Sequence, residues 1–336
     1  MRPTRSLCLV FILALAVAAS PAARASCGSA SCPIDSNALN LPDPGGWSVD
    51  LSFQYIDQDQ PRIGTDSAEV GEIPSEHDEV RTLNRATALA LHRAFGPGLL
   101  LGVVVPYQNR FHQHIAHEEE PAEKHGGEDG EVEQWDLDGI GDVLLDGQWR
   151  AWSAGRTSLW LTGAVKLPTG KDDATNGEEI AEVPIQTGSG STDVVVGGIV
   201  RGSVVRKTAQ EGPMGGFAAV PWFVSTTFRR NGSGRDDYRI GSEWQLNGGG
   251  AYPLGSRADL MLQLNWRYRQ KDDVGTSGED PELTGGKYLF LSPGVRFVVH
   301  WPWALYAYVQ QPLYQDVNGL QLTARRNWLF GAQGRW

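Results

Sequence analysis

The chain has 336 residues, and its 29 Lys and Arg against 40 Asp and Glu give a formal net charge of −11 at pH 7. This acidic balance disfavours nucleic acid as a partner, because nucleic-acid binding depends on Lys and Arg that neutralise phosphates. Beyond the N-terminal region no stretch reaches the ~18 consecutive apolar residues that a helical membrane span needs. A membrane form of this chain would therefore be a closed β-barrel.

Residues 1–25 predict a secretory signal peptide that is cleaved. Arg2 and Arg5 precede an apolar run over residues 7–18, and Ala23-Arg24-Ala25 gives the small-x-small pattern of a cleavage site. The run is too short for a retained membrane anchor, which is the alternative interpretation. Cleavage removes three arginines and no acidic residue, so the net charge changes from −11 to −14.

Residues 26–45 predict an irregular periplasmic leader. This segment holds Cys27 and Cys32, the only cysteines left after cleavage. In an oxidising compartment two such cysteines favour a small disulfide loop. A zinc site is the weaker alternative, because no histidine lies near them to complete the ligand set.

Residues 46–336 predict an all-β fold, a single-chain transmembrane antiparallel β-barrel of about twelve strands. The first strand sets Trp47, Leu51 and Phe53 on one face and Asp50 and Ser52 on the other, as period-two alternation requires. The following strands are predicted at about 82–95, 99–111, 140–152, 157–167, 193–205, 217–228, 240–252, 258–270, 287–300, 304–311 and 327–336. The strand at 240–252, the eighth of the twelve, is weakened by three consecutive glycines at 248–250.

The C-terminal strand carries the clearest membrane signal. Trp328, Phe330 and Trp336 share one face of it, and a terminal aromatic residue is typical of bacterial outer-membrane barrels. Short and long connections alternate along the chain, which predicts short periplasmic turns, long extracellular loops and both termini on the periplasmic side. A soluble β-sandwich or solenoid also alternates, and a merged or split hairpin would give ten or fourteen strands. We predict a location in the outer membrane of a Gram-negative bacterium, surrounded by its lipid.

Charged side chains recur on the predicted inner face of the barrel. They need water or partners, because an unpaired buried charge costs several kcal/mol. One interpretation is a hydrated pore whose opposed acids and bases shape the field at a constriction. The other is a filled barrel, since twelve strands lie between the eight that leave room only for side chains and the sixteen that leave an open channel. The lumen and constriction candidates are Asp50, Asp142, Asp146, Arg150, Lys166, Asp193, Arg201, Glu243, Arg267, Arg269, Arg296 and Arg335.

Residues 112–138 form the most unusual predicted loop. Four histidines, His112, His114, His117 and His125, are interleaved with ten acidic residues against one lysine, a net charge of −9. Imidazole binds zinc, copper and nickel, and carboxylates bind harder cations. This loop could therefore bind a divalent cation at a pore mouth, or it is a solvated acidic loop with incidental histidines. No cofactor is predicted.

Catalysis has little support in the sequence. His92 and His300 are the histidines on predicted strands, and neither lies in a nucleophile motif. The chain also lacks a Gly-x-Ser-x-Gly elbow. We predict that the protein is not an enzyme.

Three motifs at strand ends carry a resemblance to a known family. They are Asp138-Gly139-Ile140-Gly141-Asp142, residues 166–170 (KLPTG) and residues 186–193 (QTGSGSTD). In this order they are similar to the outer-membrane family of the MetA pathway of phenol degradation, also described as transporter-like. The resemblance implies an outer-membrane β-barrel that passes small, often hydrophobic or aromatic compounds, and it carries no catalytic or ligand residues. Within these motifs Asp142 and Asp193 flank Lys166 on adjacent strands, which predicts either an acid–base–acid constriction or an ion-pair set that stiffens the rim.

The sequence therefore predicts a porin-like channel or transporter for small solutes. The alternatives are a cation-binding outer-membrane protein that uses residues 112–138 and a filled structural barrel.

Overall fold

The computed structural model describes residues 33–39, 41–72, 77–116, 131–177, 179–207, 217–277 and 279–336. The signal peptide and Cys27 and Cys32 lie outside these residues. Three short 3-10 helices cover Val183–Ile185, Arg235–Asp237 and Pro281–Leu283. The strands are β1 (Trp47–Gly64), β2 (Asp66–Ser67), β3 (His77–Ala94), β4 (Leu99–Ala116), β5 (Glu131–Ile140), β6 (Val143–Ala154), β7 (Thr157–Leu167), β8 (Thr175–Asn176), β9 (Glu179–Ile180), β10 (Asp193–Lys207), β11 (Phe217–Arg230), β12 (Glu243–Pro253), β13 (Ala258–Arg269), β14 (Gly286–His300) and β15 (Trp303–Arg335).

The main sheet closes on itself. Neighbouring strands pair antiparallel in chain order, and β1 pairs with β3 on one side and with β15 on the other. Eleven strand elements form the closed ring, while β2 and β5 lie off its path. The predicted all-β transmembrane antiparallel barrel is therefore confirmed.

The last element, β15, occupies two positions in the wall. Residues 303–317 pair with β14, and residues 317–335 pair with β1. The two halves also contact each other, since the Asn327 Nδ2 donates to the Gln310 Oε1 at 2.8 Å. The chain reverses beside Gly319, whose φ of +56° favours glycine. Counted by position rather than by element, the wall has the predicted twelve strands.

The two faces of the wall differ in chemistry as the alternation predicts. On β1 the inward Asp50 and Ser52 are buried, while the outward Leu51 and Phe53 are exposed. The C-terminal half of β15 has the same order, with Trp328 and Phe330 outward and Leu329 fully buried. Apolar residues that project outward all around a closed barrel form the band that lipid covers.

One end of the barrel carries short turns, at 95–98, 155–156, 254–257 and 301–302, and we call it the turn end. The opposite end carries the long segments 168–192, 231–242 and 270–285, and we call it the loop end. The first residue of β1 and the last residue of β15 lie at the turn end, where the Trp47 amide donates to the Trp336 carbonyl at 2.6 Å.

Strands β4 and β5 extend the barrel beyond the lipid band at the loop end. Residues 107–116 pair with 131–140, so the loop predicted at 112–138 is shorter and its two flanks are strand. In this part Trp135 and Leu137 face inward, and Asp136 and Asp138 face outward. An acidic outer face cannot contact hydrocarbon, so this section of the wall lies in water.

A β-bulge joins β5 to β6. Tyr107 pairs with Ile140 and Val104 with Leu144, so four steps on one side oppose three on the other. The extra residue shifts the alternation by one and turns Asp142 and Leu144 inward. It separates the wet section of this strand position from the lipid-facing section.

The strand predicted at 240–252, which contains three consecutive glycines, is present as β12. A side chain at Gly249 would meet Gln263 Cγ at 2.7 Å and Phe223 Cε1 at 3.0 Å. The missing side chain therefore makes room for two larger groups from the neighbouring strands. None of the segments described above is a helix long and apolar enough to cross a membrane.

Candidate functional site

The candidate site is the interior of the barrel, where the predicted charged residues lie. Arg150 and Arg296 are partly buried, and Arg335 lies at the turn end with its guanidinium 5.7 Å from the Trp301 ring. The other nine candidates are buried and face inward: Asp50, Asp142, Asp146, Lys166, Asp193, Arg201, Glu243, Arg267 and Arg269. They form several separate groups instead of one ring.

Lys166 joins two carboxylates near the loop end. Its Nζ lies 2.8 Å from Asp142 Oδ2 and 3.0 Å from Asp193 Oδ2, and all three residues are at most 2% exposed. Register explains the contact, because Lys166 pairs with Leu144 on one side and with Asp193 on the other. The contact predicted from the sequence is therefore present.

The same trio holds the loop 168–192 against the inside of the wall. Asp142 accepts hydrogen bonds from the amides of Gly170 and Ser189, both at 3.0 Å, and from the Ser189 hydroxyl at 2.8 Å. Lys166 also donates to the Ser189 hydroxyl. A side chain on Gly188 would collide with the backbone of Gly170, so the two arms of the loop can pack directly together only without one.

A second anchor holds this loop from the neighbouring strand β4. Arg110 on β4 donates through Nη1 to the carbonyls of Pro184 and Gln186, both at 2.9 Å. Nearby, Val183 and Ile185 are buried, and Ile185 packs on Trp135. The loop 168–192 therefore turns into the mouth of the barrel, a direction that its length and composition did not predict.

The other two long segments pack against this loop at the mouth. Arg235 donates to the Asp172 carbonyl, which links 231–242 to 168–192. The Tyr238 hydroxyl donates to Asp272 Oδ2 at 2.7 Å, which links 231–242 to 270–285. Burial raises the pKa of Tyr238, so this hydroxyl keeps its proton. The three segments form one cap.

The cap contains a carboxyl group with a shifted pKa. Burial and the neighbouring Glu182 carboxylate raise the pKa of Glu279 to about 7, against the opposing effect of the nearby Tyr238 hydroxyl and Val183 amide. Glu279 lies in segment 270–285 and Glu182 in loop 168–192. Protonation of Glu279 therefore acts on the contact between two parts of the cap.

Two further charge groups lie beside the cap. Arg267 donates through Nε to Glu243 Oε2 at 2.6 Å across β13 and β12. Arg269 donates through Nη2 to both oxygens of Asp272, at 2.8 and 2.7 Å. Most charge at this end is thus paired within the wall or the cap.

The turn end contains a feature that the sequence did not predict, because residues 33–39 of the leader lie inside the barrel. Ile34 is 1% exposed and packs on Tyr306, Tyr308 and Leu329. The Gln263 side chain on β13 makes two hydrogen bonds to the backbone of Asp35. It accepts from the Asp35 amide at 3.2 Å and donates to the Asp35 carbonyl at 3.1 Å.

Further along the leader, Ala38 is buried against Trp160, Ile199 and Phe223. These residues lie on β7, β10 and β11, across the lumen from the β15 residues that contact Ile34. The leader thus crosses the lumen from one wall to the other. The sequence alone predicts only an irregular periplasmic segment here.

Arg201 lies beside this crossing. Its Nη2 donates to Gln148 Oε1 at 2.7 Å, and its guanidinium carbon is 5.5 Å from the centre of the Trp160 ring. The Nε and Nη1 atoms make no hydrogen bond to the described protein, although the residue is only 7% exposed. The carboxylate of Asp35 on the leader is close enough to interact electrostatically with Arg201.

The other charges near the turn end have close partners. Tyr306 donates to both oxygens of Asp50, at 2.9 and 3.0 Å. His92 Nε2 lies 3.1 Å from Asp146 Oδ2. Arg296 donates to Asp259 Oδ2 at 2.9 Å. Arg150 shares the Trp160 ring with Arg201, at 5.7 Å.

His112 and His114 face inward from β4 and not from a loop, which corrects the sequence prediction. Their rings are 3.2 Å apart between Nε2 of His112 and Nδ1 of His114, and the Thr82 hydroxyl lies 2.9 Å from His112. Glu133 lies 3.3 Å from His114. The described residues include no group of three or more His, Cys, Asp or Glu arranged to hold a metal ion. The other two predicted ligands, His117 and His125, lie outside these residues.

Sequence reasoning missed the uncharged part of the lumen. Trp160, Phe223, Tyr306 and Tyr308 face inward and are buried, and none of them is among the lumen candidates predicted from the sequence. Their position in the alternation was a usable signal, because Trp160 shares its face with Thr162, Phe223 with Ser225 and Tyr308 with Gln310.

Comparison with solved structures gives the same fold class. The COG4313 outer membrane channel from Pseudomonas putida F1 superposes with a TM-score of 0.57 at 14% identity, over 90% of this chain and 99% of that chain. The fold is an outer-membrane barrel.

Two other barrels align less well. The transport unit of the autotransporter AIDA-I from Escherichia coli has a TM-score of 0.44 at 13% identity, over 89% of this chain and 92% of that chain. The KdgM porin has a TM-score of 0.40 at 10% identity, over 86% of this chain and 99% of that chain. No family model and no curated protein matches the chain.

Proposed function

We propose that this protein is a channel of the bacterial outer membrane that passes small solutes, including hydrophobic or aromatic compounds. The observation that carries the proposal is the leader inside the lumen. A barrel that encloses residues 33–39 between opposite walls has an interior wider than its own side chains fill. The contacts described for this segment are non-covalent and include two hydrogen bonds to Gln263, so we infer that the segment can leave the lumen.

The lining supports a solute with both polar and apolar parts. Aromatic faces of Trp160, Phe223, Tyr306 and Tyr308 alternate with polar groups such as Gln148 and Gln263. Ligand sites in proteins combine apolar and aromatic walls with a few placed polar groups. The resemblance to the phenol-degradation family agrees with such a solute, and membership of that family remains a prediction.

In this proposal the signal peptide directs export, the turn end faces the periplasm and the loop end faces outside. The cap then closes the outer mouth and the leader closes the inner one. A disulfide between Cys27 and Cys32 would lie just before the leader residues inside the lumen. Cation binding by the segment that contains His117 and His125 remains a prediction.

Single-channel recording of the refolded mature protein tests the proposal. We expect a small conductance in the full chain and a several-fold larger one after deletion of residues 33–39. A matched variant with Ile34 and Ala38 replaced by Gly keeps the chain length and should give an intermediate value. If neither the full chain nor the deletion variant conducts, the protein is a filled structural barrel.

A further inference from the structure

Arg201 is the most unusual polar side chain of the lumen. It is 7% exposed, and two of its three nitrogens, Nε and Nη1, make no hydrogen bond to the described residues. A buried donor that stays unpaired destabilises the folded protein, and a charged one does so more strongly. Such exceptions in a folded protein call for an explanation, and a bound ion is one of the few available.

The donors that remain have the geometry of an anion site. Gln148 occupies one N–H of Nη2, and the guanidinium has five in all. The second N–H of Nη2 still forms a fork with the N–H of a neighbouring nitrogen. Such a fork matches the two oxygens of a carboxylate.

Apolar groups surround the cation. The Trp160 ring lies 5.5 Å from the guanidinium carbon. Arg201 pairs with Phe223 across the ladder, and Ile199 lies two residues away on the same face. A carboxylate at Arg201 would thus carry its organic part against an indole, a phenyl and an aliphatic side chain.

The leader supplies an internal competitor for this position. Ala38 packs on Trp160, Ile199 and Phe223, which are the apolar groups around Arg201. The Asp35 carboxylate on the same segment is close enough to interact electrostatically with Arg201. One short segment therefore places an apolar group on this aromatic wall and a carboxylate in its neighbourhood.

We propose that Arg201, Gln148 and Trp160 form a binding subsite for small aromatic or apolar monocarboxylates, and that the leader competes with them for it. This inference rests on the proposed channel function and names its solute class. The carboxylate of the solute binds the guanidinium fork, and its ring displaces Ala38 from the aromatic wall. The leader then leaves the lumen as the solute enters.

Calorimetric titration of the mature protein in detergent with sodium benzoate tests the subsite, with benzamide as the uncharged probe. We expect benzoate to bind more tightly than benzamide. Arg201→Gln should weaken benzoate binding by about tenfold or more, the range for loss of a charge-assisted hydrogen bond. Arg201→Lys should restore part of it, because the charge remains and the fork does not.

Arg296→Gln is the matched control. It removes the same charge from the same end of the lumen, but this arginine already binds Asp259 at 2.9 Å, so benzoate affinity should not change. Asp35→Asn leaves the wall intact and should tighten benzoate binding several-fold, because it removes the competing carboxylate. This variant keeps the test decisive even if Arg201→Gln fails to refold.

Three results would overturn the inference: equal affinity for benzoate and benzamide, equal loss in Arg201→Gln and Arg296→Gln, or weaker benzoate binding in Asp35→Asn. Each of them leaves the channel proposal standing if the leader-deleted protein still conducts. Loss of conductance in every variant, with benzoate binding retained, would instead reject the channel and keep the subsite.

Discussion

Replacement of Lys166 by Met should release loop 168–192 from the wall. The change keeps the length of the side chain and removes the charge that lies between Asp142 and Asp193. Both carboxylates lie within 3.0 Å of the same nitrogen. Without it two buried acids lie close together, and Asp193 keeps Arg229 at 3.6 Å while Asp142 loses its cation. Removal of one partner of a buried ion pair costs about 3–5 kcal/mol.

This cost falls on the loop and not on the barrel. Asp142 holds the loop through the amides of Gly170 and Ser189. The wall is held by backbone hydrogen bonds between strands, in which the Lys166 side chain takes no part. Since about 1.4 kcal/mol is a factor of ten in an equilibrium constant, the open form of the loop should become at least about 100-fold more populated.

Trypsin cleavage after Lys171 measures the opening. This residue lies in the loop with 63% of its side chain exposed, and cleavage follows the open population when opening is fast. We expect the cleavage rate of Lys166→Met to rise with that population. Lys287→Met is the control, because it removes an exposed partner of Asp316 at the same end, a kind of pair worth at most about 1 kcal/mol.

A triple variant with Lys166→Met, Asp142→Asn and Asp193→Asn should recover much of the protection, since the two carboxylates that lost Lys166 are no longer charged. An unchanged cleavage rate in Lys166→Met would refute the reasoning. It would mean that Arg110 and the glycine contacts hold the loop without help from the trio.

Three other outcomes are expected. The pKa of the Glu279 carboxyl is raised from 4.5 to about 7, so its contribution to stability is full below pH 4.5 and is lost as the pH rises through 7. The thermal unfolding midpoint of the wild type should therefore fall between pH 5 and pH 8 relative to that of Glu279→Gln. Parallel curves of midpoint against pH would contradict this. Leu262→Arg on the lipid face should lower the free energy of unfolding in lipid vesicles by about 2–4 kcal/mol, and Leu254→Arg at the interfacial turn by at most about 1 kcal/mol; equal losses would show that β13 does not cross the middle of the bilayer. Deletion of residues 33–39 should leave the unfolding midpoint of the barrel within a few degrees of the wild type while raising conductance, and an unfolded product would assign the leader a structural role.

The wall of the barrel could be predicted because its rule is local. Each strand needs only the period-two alternation, so the outward position of Leu262 and the inward position of Arg267 follow from the order of the residues. The contact of Lys166 with Asp142 and Asp193 also follows, because strand register sets it. Antiparallel pairing of consecutive strands extends this local rule to the whole ring.

The contents of the barrel could not be predicted in the same way. The position of Ile34 depends on Tyr306 and Leu329, nearly three hundred residues away in the sequence. The inward turn of loop 168–192 depends on Arg110, which no local pattern distinguishes from other wall arginines. Such contacts arise from complementary shapes that form only after closure.

The strand limits near the loop end were missed for a different reason. The extension of β4 and β5 inverts the usual polarity, with Trp135 and Leu137 inward and acids outward, and a search for an apolar outer face does not find it. Alternation of either sign identifies a strand, and its sign tells whether lipid or water lies outside.

The leader also bears on the order in which the molecule is completed. It precedes β1 in the chain, yet its partners lie on β7, β10, β11, β13 and β15. A segment whose partners lie on strands from the middle and the C-terminal end of the polypeptide can bind only after nearly all strands have assembled. Protection of residues 33–39 from protease is therefore a readout of finished biogenesis, available before any solute is added.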